Sequence, residues 1–307
     1  MSNQSTSIFQ RPVWVSLLAL SAAIAWGWAY PLIKIGFEEF SITQEMTGSK
    51  ILFAGIRFAF SGLIILAIAL LKQKRFEVKK KVDWGFILVF ALMNTTFHYA
   101  CFYIGLSHSQ GAHAAILNSL GVFLLVIMAC IFFKSDHLTI RKIVGCAIGL
   151  AGVFALNMGS GTSYHEFTFL GDGMIILNAL CSATASLMTR SLGRRVDIFV
   201  GTGYSLALGG LLLVIPGIAM GGTLPTFTMT GMVCLLLLIF ISAYGFAMYN
   251  NLISCNPVGK IAIYNSLIPV VGAVTSCMCL SEPFYWKYVI AGTLATAGIY
   301  IINKGKR

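Results

Sequence analysis

The chain has 307 residues, of which 58% are hydrophobic and only 10% charged, and its mean hydropathy is +0.86. Soluble domains carry roughly 25% charged residues, so this composition excludes an ordinary soluble enzyme. The formal charge of +11 would suggest nucleic acid as the partner of a soluble protein, but here the basic residues lie in short loops between apolar segments. Such residues act as topology signals, and we expect no nucleic-acid partner.

Apolar stretches long enough to cross a bilayer recur along the whole chain. A hydrocarbon core of about 30 Å requires ~20 apolar residues per helix. No stretch outside them is long enough to bury a core of its own, so any activity must be carried by side chains within the helices or at their ends. The sequence predicts an all-α integral membrane protein with ten transmembrane helices. In chain order the predicted spans are 13–34, 51–71, 84–106, 111–133, 140–158, 169–189, 198–219, 229–250, 258–280 and 285–303.

The basic residues predict the orientation of these spans. An even number of helices puts both termini on one side, and placing that side in the cytoplasm puts 17 of the 21 Lys and Arg residues there. Only Lys34, Lys50 and Lys287 then fall at the outer face, while Arg57 lies within a span. We therefore expect a multi-pass protein of the cell membrane, the inner membrane of a prokaryote, surrounded by lipid and with both termini in the cytoplasm.

The chain contains an internal repeat. The tripeptide Asn-Ser-Leu occurs at 118–120 in helix 4 and at 265–267 in helix 9, an offset of 147 residues. Each copy therefore has five helices, and because five is odd the second copy enters the membrane from the opposite side. This arrangement is an inverted-topology repeat. The predicted units are repeat one at 13–158, repeat two at 169–303, and cytoplasmic tails at 1–12 and 304–307.

Several short motifs resemble those of a known family. They are Trp26-Gly27 in helix 1, Arg57 in helix 2, and Ser281-Glu282-Pro283 followed by Gly292 and Gly298. On these motifs, and over nearly the whole chain, the sequence resembles the EamA-type transporters of the drug/metabolite transporter superfamily, which have two five-helix repeats. The resemblance implies a secondary transporter, frequently an exporter. The family's substrates range over amino acids, purines, sugars and drugs, so the resemblance predicts architecture better than cargo.

These observations predict a secondary transporter of a small organic metabolite, an exporter of an amino acid or a related compound, working by alternating access around a midplane site. The alternatives are a membrane-embedded enzyme and a non-transporting sensor or scaffold. Intramembrane proteases use His-Glu-x-x-His, Gly-x-Ser-Gly or Gly-x-Gly-Asp, and none of these motifs occurs in the sequence. Walker and metal-cluster motifs are missing as well, so we expect no enzyme, no catalytic residue, no cofactor and no bound metal.

Aromatic residues are the first candidates for the substrate site. Trp26 and Tyr30 in helix 1 are four residues apart and share one face, whereas Trp28 points roughly opposite. Together with Tyr99, Tyr244 and Tyr264, the first pair predicts a pocket suited to organic solutes with an apolar part. Packing against lipid or protein is the alternative explanation for these side chains.

Arg57 is an ionisable residue within a span, which is costly unless it faces a cavity or a partner. It lies seven residues, about 10 Å, from the predicted start of helix 2. Its long stem could reach the outer interface beside Glu38, Glu39 or Glu45. Alternatively, its guanidinium binds a substrate carboxylate. The sequence leaves both interpretations open.

His98 is the second ionisable residue within a span. It could be a packing residue with one carbonyl partner, or it could line the cavity. Every Asp and Glu lies in a loop or within a few residues of a predicted helix end. If transport is coupled to protons, the sequence therefore favours His98 as the coupling group, and a neutral facilitator or exchanger is the alternative.

The repeated Asn-Ser pair provides candidates of a different kind. Asn118, with Ser119, and Asn265 occupy equivalent places in inverted copies, about 10 Å inside a helix. They could bind substrate near the middle of the bilayer, or they could join helices by hydrogen bonds.

Small residues mark one face of helix 5 and one of helix 10. Helix 5 carries Gly145, Gly149 and Gly152, and helix 10 has a similar face with Gly292 and Gly298. Helix packing is the default explanation for such a face. The resemblance implies that these helices are peripheral and could support a homodimer.

Overall fold

The computed structural model describes residues 8–78, 80–132, 139–156, 167–256, 261, 264–265 and 267–303. Within these residues it contains helices and no strands. The end of the first predicted repeat at 157–158 and both predicted tails, apart from residues 8–12, lie outside this part of the chain. The helices are α1 Pro12–Glu39, α2 Thr47–Leu71, α3 Lys81–Ser107, α4 Gly111–Phe132, α5 Ile140–Leu156, α6 Phe169–Gly193, α7 Ile198–Ala219, α8 Met229–Cys255, α9 Leu267–Cys279 and α10 Trp286–Asn303.

Seven of these helices are long and apolar enough to cross a membrane, namely α1, α2, α3, α4, α6, α7 and α8. The helices α9 and α10 are shorter but also apolar. Many large apolar side chains are exposed on the outside of the bundle, where lipid would cover them. Four of the five tryptophans are more than 40% exposed, and Trp26 alone turns inwards. The all-α membrane fold that the sequence predicts is confirmed.

The main helix contacts between the two repeats are symmetric: each of them made by a helix of the first repeat is matched by the equivalent helix of the second. Helix α1 packs on α8 and α9 of the second repeat, just as α6 packs on α3 and α4 of the first. The helices α2 and α7 pack together, as do α5 and α10. This is the packing expected of two inverted five-helix repeats related by a pseudo-two-fold axis.

Glycines let α2 and α7 approach until their backbones touch. A Cβ added to Gly62 would lie 2.2 Å from the backbone nitrogen of Ala207, and one added to Gly210 would lie 2.2 Å from that of Ala59. Close backbone approach of this kind is how membrane helices gain van der Waals contact without a hydrophobic driving force. The pair α2 and α7 therefore forms a close backbone contact between the repeats.

The small-residue face of α5 is used inside one chain. A Cβ on Gly145 would lie 2.6 Å from the carbonyl oxygen of Gly298, and one on Gly298 would lie 2.4 Å from that of Gly145. The face therefore packs α5 on α10, which agrees with the helix-packing explanation given for it from the sequence. A homodimer through these two helices stays a prediction, and it would use their outer faces, where Ile143 and Ile290 are exposed.

One end of the bundle, which we call the distal end, carries the segments 40–46, 107–112, 220–228 and 280–285. Here Glu282 joins the two repeats. Its carboxylate accepts hydrogen bonds from the backbone amides of Gly111 (2.8 Å) and Ala112 (3.1 Å), at the start of α4, and from Lys34 Nζ at the end of α1 (3.1 Å). A carboxylate at a helix N-terminus satisfies amides that lack intrahelical partners. The first turn of α4 is thereby fixed to the second repeat.

The opposite end, which we call the terminal end, carries residues 8–11, 72–83, 194–197 and 256. Arg195 Nη1 donates to Asp83 Oδ1 at 2.6 Å, and Asn256 Nδ2 donates to the carbonyl oxygen of Phe9 at 2.7 Å. These contacts place residues before α1 and after α8 at the same end of the bundle.

Candidate functional site

A cavity of about 140 Å³ lies between the two repeats, and residues of α1, α2, α3, α4, α6, α8 and α9 line it. Sites that hold drug-sized ligands usually measure about 300–1,000 Å³, so this volume suits a small metabolite. Among the described lining residues there is one formal positive charge, on Arg57, and no Asp or Glu. The cavity is therefore electrostatically suited to a solute with a negatively charged group.

Arg57 is only 1% exposed and lies at the wall of the cavity. Its Nε donates to Ser242 Oγ (2.7 Å) and to the carbonyl oxygen of Leu238 (3.1 Å), and its Nη1 donates to Tyr103 Oη (3.0 Å). The guanidinium carbon also lies 4.9 Å from the centre of the Phe58 ring. These contacts orient the side chain towards the interior of the bundle and away from the interface.

The charge of Arg57 has no carboxylate partner among the residues that the structure describes. Arg57 forms no ion pair with Glu38, Glu39 or Glu45. In this conformation it therefore does not reach out to the interface beside these glutamates. Within the described part of the chain, Nη2 makes no hydrogen bond. A guanidinium has five N–H donors in a planar fork, so capacity remains for an acceptor that enters the cavity.

His98 also lines the cavity, and its ring stacks on Tyr99 with centroids 4.3 Å apart and planes at 1°. Both follow a π-helical turn, Leu92–Thr96, in the middle of α3. Such turns in α-helices occur frequently at functional sites because they redirect the side chains that follow. Helix α3 therefore presents an imidazole and a phenol side by side at the wall.

Trp26 forms another part of the wall. Its ring makes edge contacts with Phe246 (5.3 Å between centroids) and Tyr249 (5.2 Å), and its Nε1 is buried without a hydrogen-bond partner among the described residues. Trp28 is 41% exposed on the opposite side of α1, as the sequence predicts. A buried N–H without an acceptor is costly, so Trp26 Nε1 is a donor available to a bound solute.

Asn118 is the centre of a chain of hydrogen bonds across three helices. Its Oδ1 accepts from Asn178 Nδ2 of α6 (2.6 Å), and its Nδ2 donates to Tyr30 Oη of α1 (2.9 Å). Helix α4 is tightened at this point, because the backbone nitrogen of Ser119 bonds the carbonyl of Ile116 three residues earlier. Asn118 thus joins helices and lines the cavity at once, and the Oγ of Ser119 is buried beside it without a described partner.

Asn265, two residues before α9, repeats part of this pattern in the second repeat. Its Nδ2 donates to Tyr249 Oη at 2.9 Å, and both residues line the cavity. In each repeat an asparagine therefore donates to a tyrosine hydroxyl at the wall. A hydroxyl that accepts in this way can direct its own proton to another acceptor.

Tyr244 and Tyr264 are not brought to the cavity. The hydroxyl of Tyr244 lies 2.6 Å from Ser21 Oγ, and that of Tyr264 lies 2.6 Å from Ser16 Oγ, so both join α1 to the second repeat. Tyr244 precedes Phe246 by two residues, about 200° around a helix, and so faces away from the cavity. Tyr249 lines the cavity instead of the two tyrosines that the sequence suggested.

Polar residues of α6 line the cavity and were not among the sequence candidates. They are Ser182, Ser186 and Thr189. Their spacing of four and then three residues places them on one face of an otherwise apolar helix, which is the signal that could have identified them. Asn250 of α8, which donates to Thr202 at 3.0 Å, completes the same side of the wall.

The described residues contain no group of three or more His, Cys, Asp or Glu side chains placed to hold a metal ion.

The sequence matches a family model described as the EamA-like transporter family, over residues 13–158 and again over 169–304. Among similar proteins, one from Bacillus subtilis (strain 168) named uncharacterized transporter YvbV is 26% identical over 296 residues, which cover 94% of this chain and 91% of that protein. A probable amino-acid metabolite efflux pump of Salmonella typhimurium is 22% identical, with 92% and 93% of the two chains covered. A crystal structure with 16% identity covers 93% of this chain and 94% of its own, with a TM-score of 0.71, and thus shares the fold.

Proposed function

Because the chain belongs to the EamA-like transporter family, we propose that it carries a small organic metabolite across the membrane by alternating access. The proposed cargo is an amino acid or a related compound with a carboxylate group, and the proposed direction is outward. Two relatives named as probable amino-acid metabolite efflux pumps, each covering more than nine-tenths of the chain, support this choice of cargo. Family membership indicates a transporter rather than an enzyme.

The observation that carries the proposed cargo is the charge of Arg57. A buried cation costs several kcal/mol in a low-dielectric site unless an anion or several hydrogen bonds compensate for it. The described residues supply three neutral acceptors and no anion. A substrate carboxylate would complete the compensation, and the planar fork of the guanidinium suits two carboxylate oxygens.

The remaining wall fits the rest of an amino-acid-like solute. Trp26, Tyr99 and Phe246 provide ring faces and edges for an apolar part. Hydroxyl and amide oxygens of α4 and α6, including those of Ser119 and Ser186, can accept hydrogen bonds from an ammonium group. A cationic drug would meet no carboxylate among the described lining residues and is therefore a poorer fit.

Alternating access is supported by the difference between the two ends of the bundle. Thr189 and Asn250 line the cavity only four residues before the end of α6 and five before the end of α8, at the terminal end. At the distal end, Glu282 holds the first turn of α4 and Lys34 together beyond the cavity. This conformation would be closed at the distal end, and transport requires a second one in which that closure is broken.

Ligand-dependent stability is the first test. Purified protein in detergent is heated with each of the amino acids, with matched amides and amines, and with purines and sugars. A ligand that binds only the folded state raises the melting temperature, by an amount that corresponds to about 2.7 kcal/mol at 100 times its Kd. Carboxylates that raise it, and whose amides do not, are then tested for counterflow in proteoliposomes. Stabilisation by amines or sugars alone would contradict the proposed cargo.

The substitution Asn265→Leu is expected to abolish counterflow of such a carboxylate while leaving protein abundance unchanged. Leucine has a similar volume but cannot donate to Tyr249 Oη, so the orientation of that hydroxyl at the wall is lost. The matched control is Asn251→Leu, because Asn251 is buried on α8 and, among the residues that the structure describes, its side chain bonds only its own helix, at the carbonyl of Ala247. Wild-type counterflow in Asn265→Leu would remove Asn265 from the site.

A further inference from the structure

Lys50 is a second buried cation on α2, about two helical turns from Arg57. Its side chain is 0% exposed, although the sequence predicts a position at the outer face. Its Nζ donates a hydrogen bond to the backbone carbonyl oxygen of Gln44, and no carboxylate pairs with it among the described residues. An ammonium group has three N–H donors, so two of them have no protein acceptor in the described part of the chain.

The position of Lys50 in the first turn of α2 makes its charge more costly still. The positive end of the helix dipole lies here, and it disfavours a cation and favours an anion. The first turn contains no acidic residue, and Met46 before it provides no side-chain cap. At the same end of the bundle, the charge of Lys34 is balanced by Glu282 at 3.1 Å. An anion beside Lys50 would compensate both its ammonium group and the helix dipole.

Four buried aromatic rings pack together between the two cations of α2. This cluster, which we call the aromatic plug, consists of Phe37, Phe40, Phe53 and Tyr103. The ring centroid of Phe53 lies 5.9 Å from that of Phe37, 5.6 Å from that of Phe40 and 6.1 Å from that of Tyr103. Tyr103 Oη also accepts the hydrogen bond from Arg57 Nη1. The aromatic plug therefore begins at Arg57, at the wall of the cavity.

Lys50, Phe53 and Arg57 share one face of α2, because spacings of three and four residues bring side chains to the same side of a helix. The two cations are about 10 Å apart along the helix axis. Arg57 is the one described residue of α2 that lines the cavity, and Lys50 lies in the first turn, at the distal end. A solute that leaves Arg57 along this face towards the distal end would meet Lys50 next.

We propose that Lys50 is a second anion site, which binds the carboxylate of the cargo between Arg57 and the solution at the distal end. The inference rests on the proposed function, which supplies both the carboxylate and the opening of that end. On opening, the aromatic plug separates and water reaches Lys50, whose side chain is then protonated at neutral pH. The ammonium group exchanges the carbonyl of Gln44 for the carboxylate. A second cation lowers the cost of moving an anion past neutral rings.

The test measures transport and binding separately. Counterflow of a radiolabelled mixture of amino acids is recorded in proteoliposomes, well below half-saturation. Lys50→Gln keeps a donor for the Gln44 carbonyl but loses the charge, and counterflow is expected to fall about tenfold, as for the loss of one hydrogen bond to a charged group. Lys50→Arg keeps the charge and should retain most of the counterflow. The same mixture should raise the melting temperature of Lys50→Gln as it does in the wild-type protein, because the cavity is unaltered.

The matched control is Lys72→Gln, at an exposed lysine just after the other end of α2, which should transport as the wild-type protein does.

A chemical rescue tests the charge within one variant, so that a difference in folding does not affect the comparison. Lys50→Cys is made in a background without the eight native cysteines. Its thiol attacks aminoethyl methanethiosulfonate, forms a mixed disulfide and releases methanesulfinate. The new side chain ends in an ammonium group, and counterflow should return. Sulfonatoethyl methanethiosulfonate adds a negative charge by the same reaction and should not restore counterflow.

A loss of counterflow that only the aminoethyl reagent reverses, with unchanged stabilisation by the amino acids, supports the inference. Wild-type counterflow in Lys50→Gln, equal counterflow after both reagents, or a thiol that neither reagent modifies would overturn it and leave the proposed function intact. Loss of the stabilisation in Lys50→Gln would show that Lys50 acts on the closed conformation, which also overturns it. Absence of amino-acid counterflow in the wild-type protein would overturn both proposals.

Discussion

The substitution Arg57→Met is expected to reduce counterflow of a carboxylate substrate by about 100-fold or more. Hydrogen bonds to charged groups contribute about 1.5–3 kcal/mol each, and a bidentate pair loses two of them, while each 1.4 kcal/mol corresponds to a factor of ten. Arg57→Lys keeps the charge but loses the fork, so an intermediate loss is expected. The measurement is counterflow in proteoliposomes with the carboxylate that stabilises the wild-type protein, at matched protein content.

The control for this substitution is Arg75→Met, at an exposed arginine in the segment between α2 and α3. It should transport as the wild-type protein does. The melting temperature without substrate separates binding from folding. Arg57 has no anionic partner among the described residues, so replacing it by an apolar residue of similar volume is expected to leave the melting temperature unchanged or to raise it. A marked fall in melting temperature, with substrate binding intact, would make Arg57 a structural residue.

The second large effect is expected from Gly210→Ala, in the contact between α2 and α7. The new methyl group would lie 2.2 Å from the backbone nitrogen of Ala59 and 2.7 Å from its Cα, neither of which can rotate away. The two helices must separate, which typically costs about 1–3 kcal/mol and sometimes more. At roughly 2–4 °C per kcal/mol, the conversion for chains of about 150–250 residues, this cost corresponds to a fall in melting temperature of about 2–12 °C.

Gly85→Ala is the matched comparison, because a Cβ at Gly85 of α3 meets nothing within 4 Å. Alanine is the better helix former, so the melting temperature should stay constant or rise slightly. The readout is the fraction of monodisperse protein after heating, by fluorescence-detected size-exclusion chromatography. Equal melting temperatures for the two alanine variants would show that α2 and α7 are not packed as closely as described.

The sequence predicts the helices of this protein well, because a bilayer imposes a minimum apolar length on each span. The helix ends are predicted less well. Helix α1 continues to Glu39 rather than ending near residue 34, and α6 continues to Gly193 rather than 189. Backbone hydrogen bonding can continue into the polar headgroup region, where apolar side chains are no longer required, so hydropathy does not detect these turns.

The candidate site shows where prediction from sequence stops. Polar or charged residues within a span, such as Arg57, His98 and Asn118, stand out because their burial in lipid is costly, and all three lie at the cavity. The sequence does not show which of Tyr244 and Tyr249 faces the cavity, because a tyrosine can face either lipid or protein. The packing of α8 on α1 determines this. The burial of Lys50 depends on the contact of its side chain with the segment after α1, which one sequence does not reveal.

The inward orientation of Trp26 gives the protein an intrinsic optical reporter. Indole emission depends on the polarity around the ring, and the other four tryptophans are on the outer surface of the bundle, where they meet lipid or solvent whether the cavity is empty or filled. A solute that accepts from Trp26 Nε1 would change the emission of this one fluorophore. In a variant that retains Trp26 as its single tryptophan, occupancy of the cavity could be titrated in real time without labelling the protein or knowing the direction of transport.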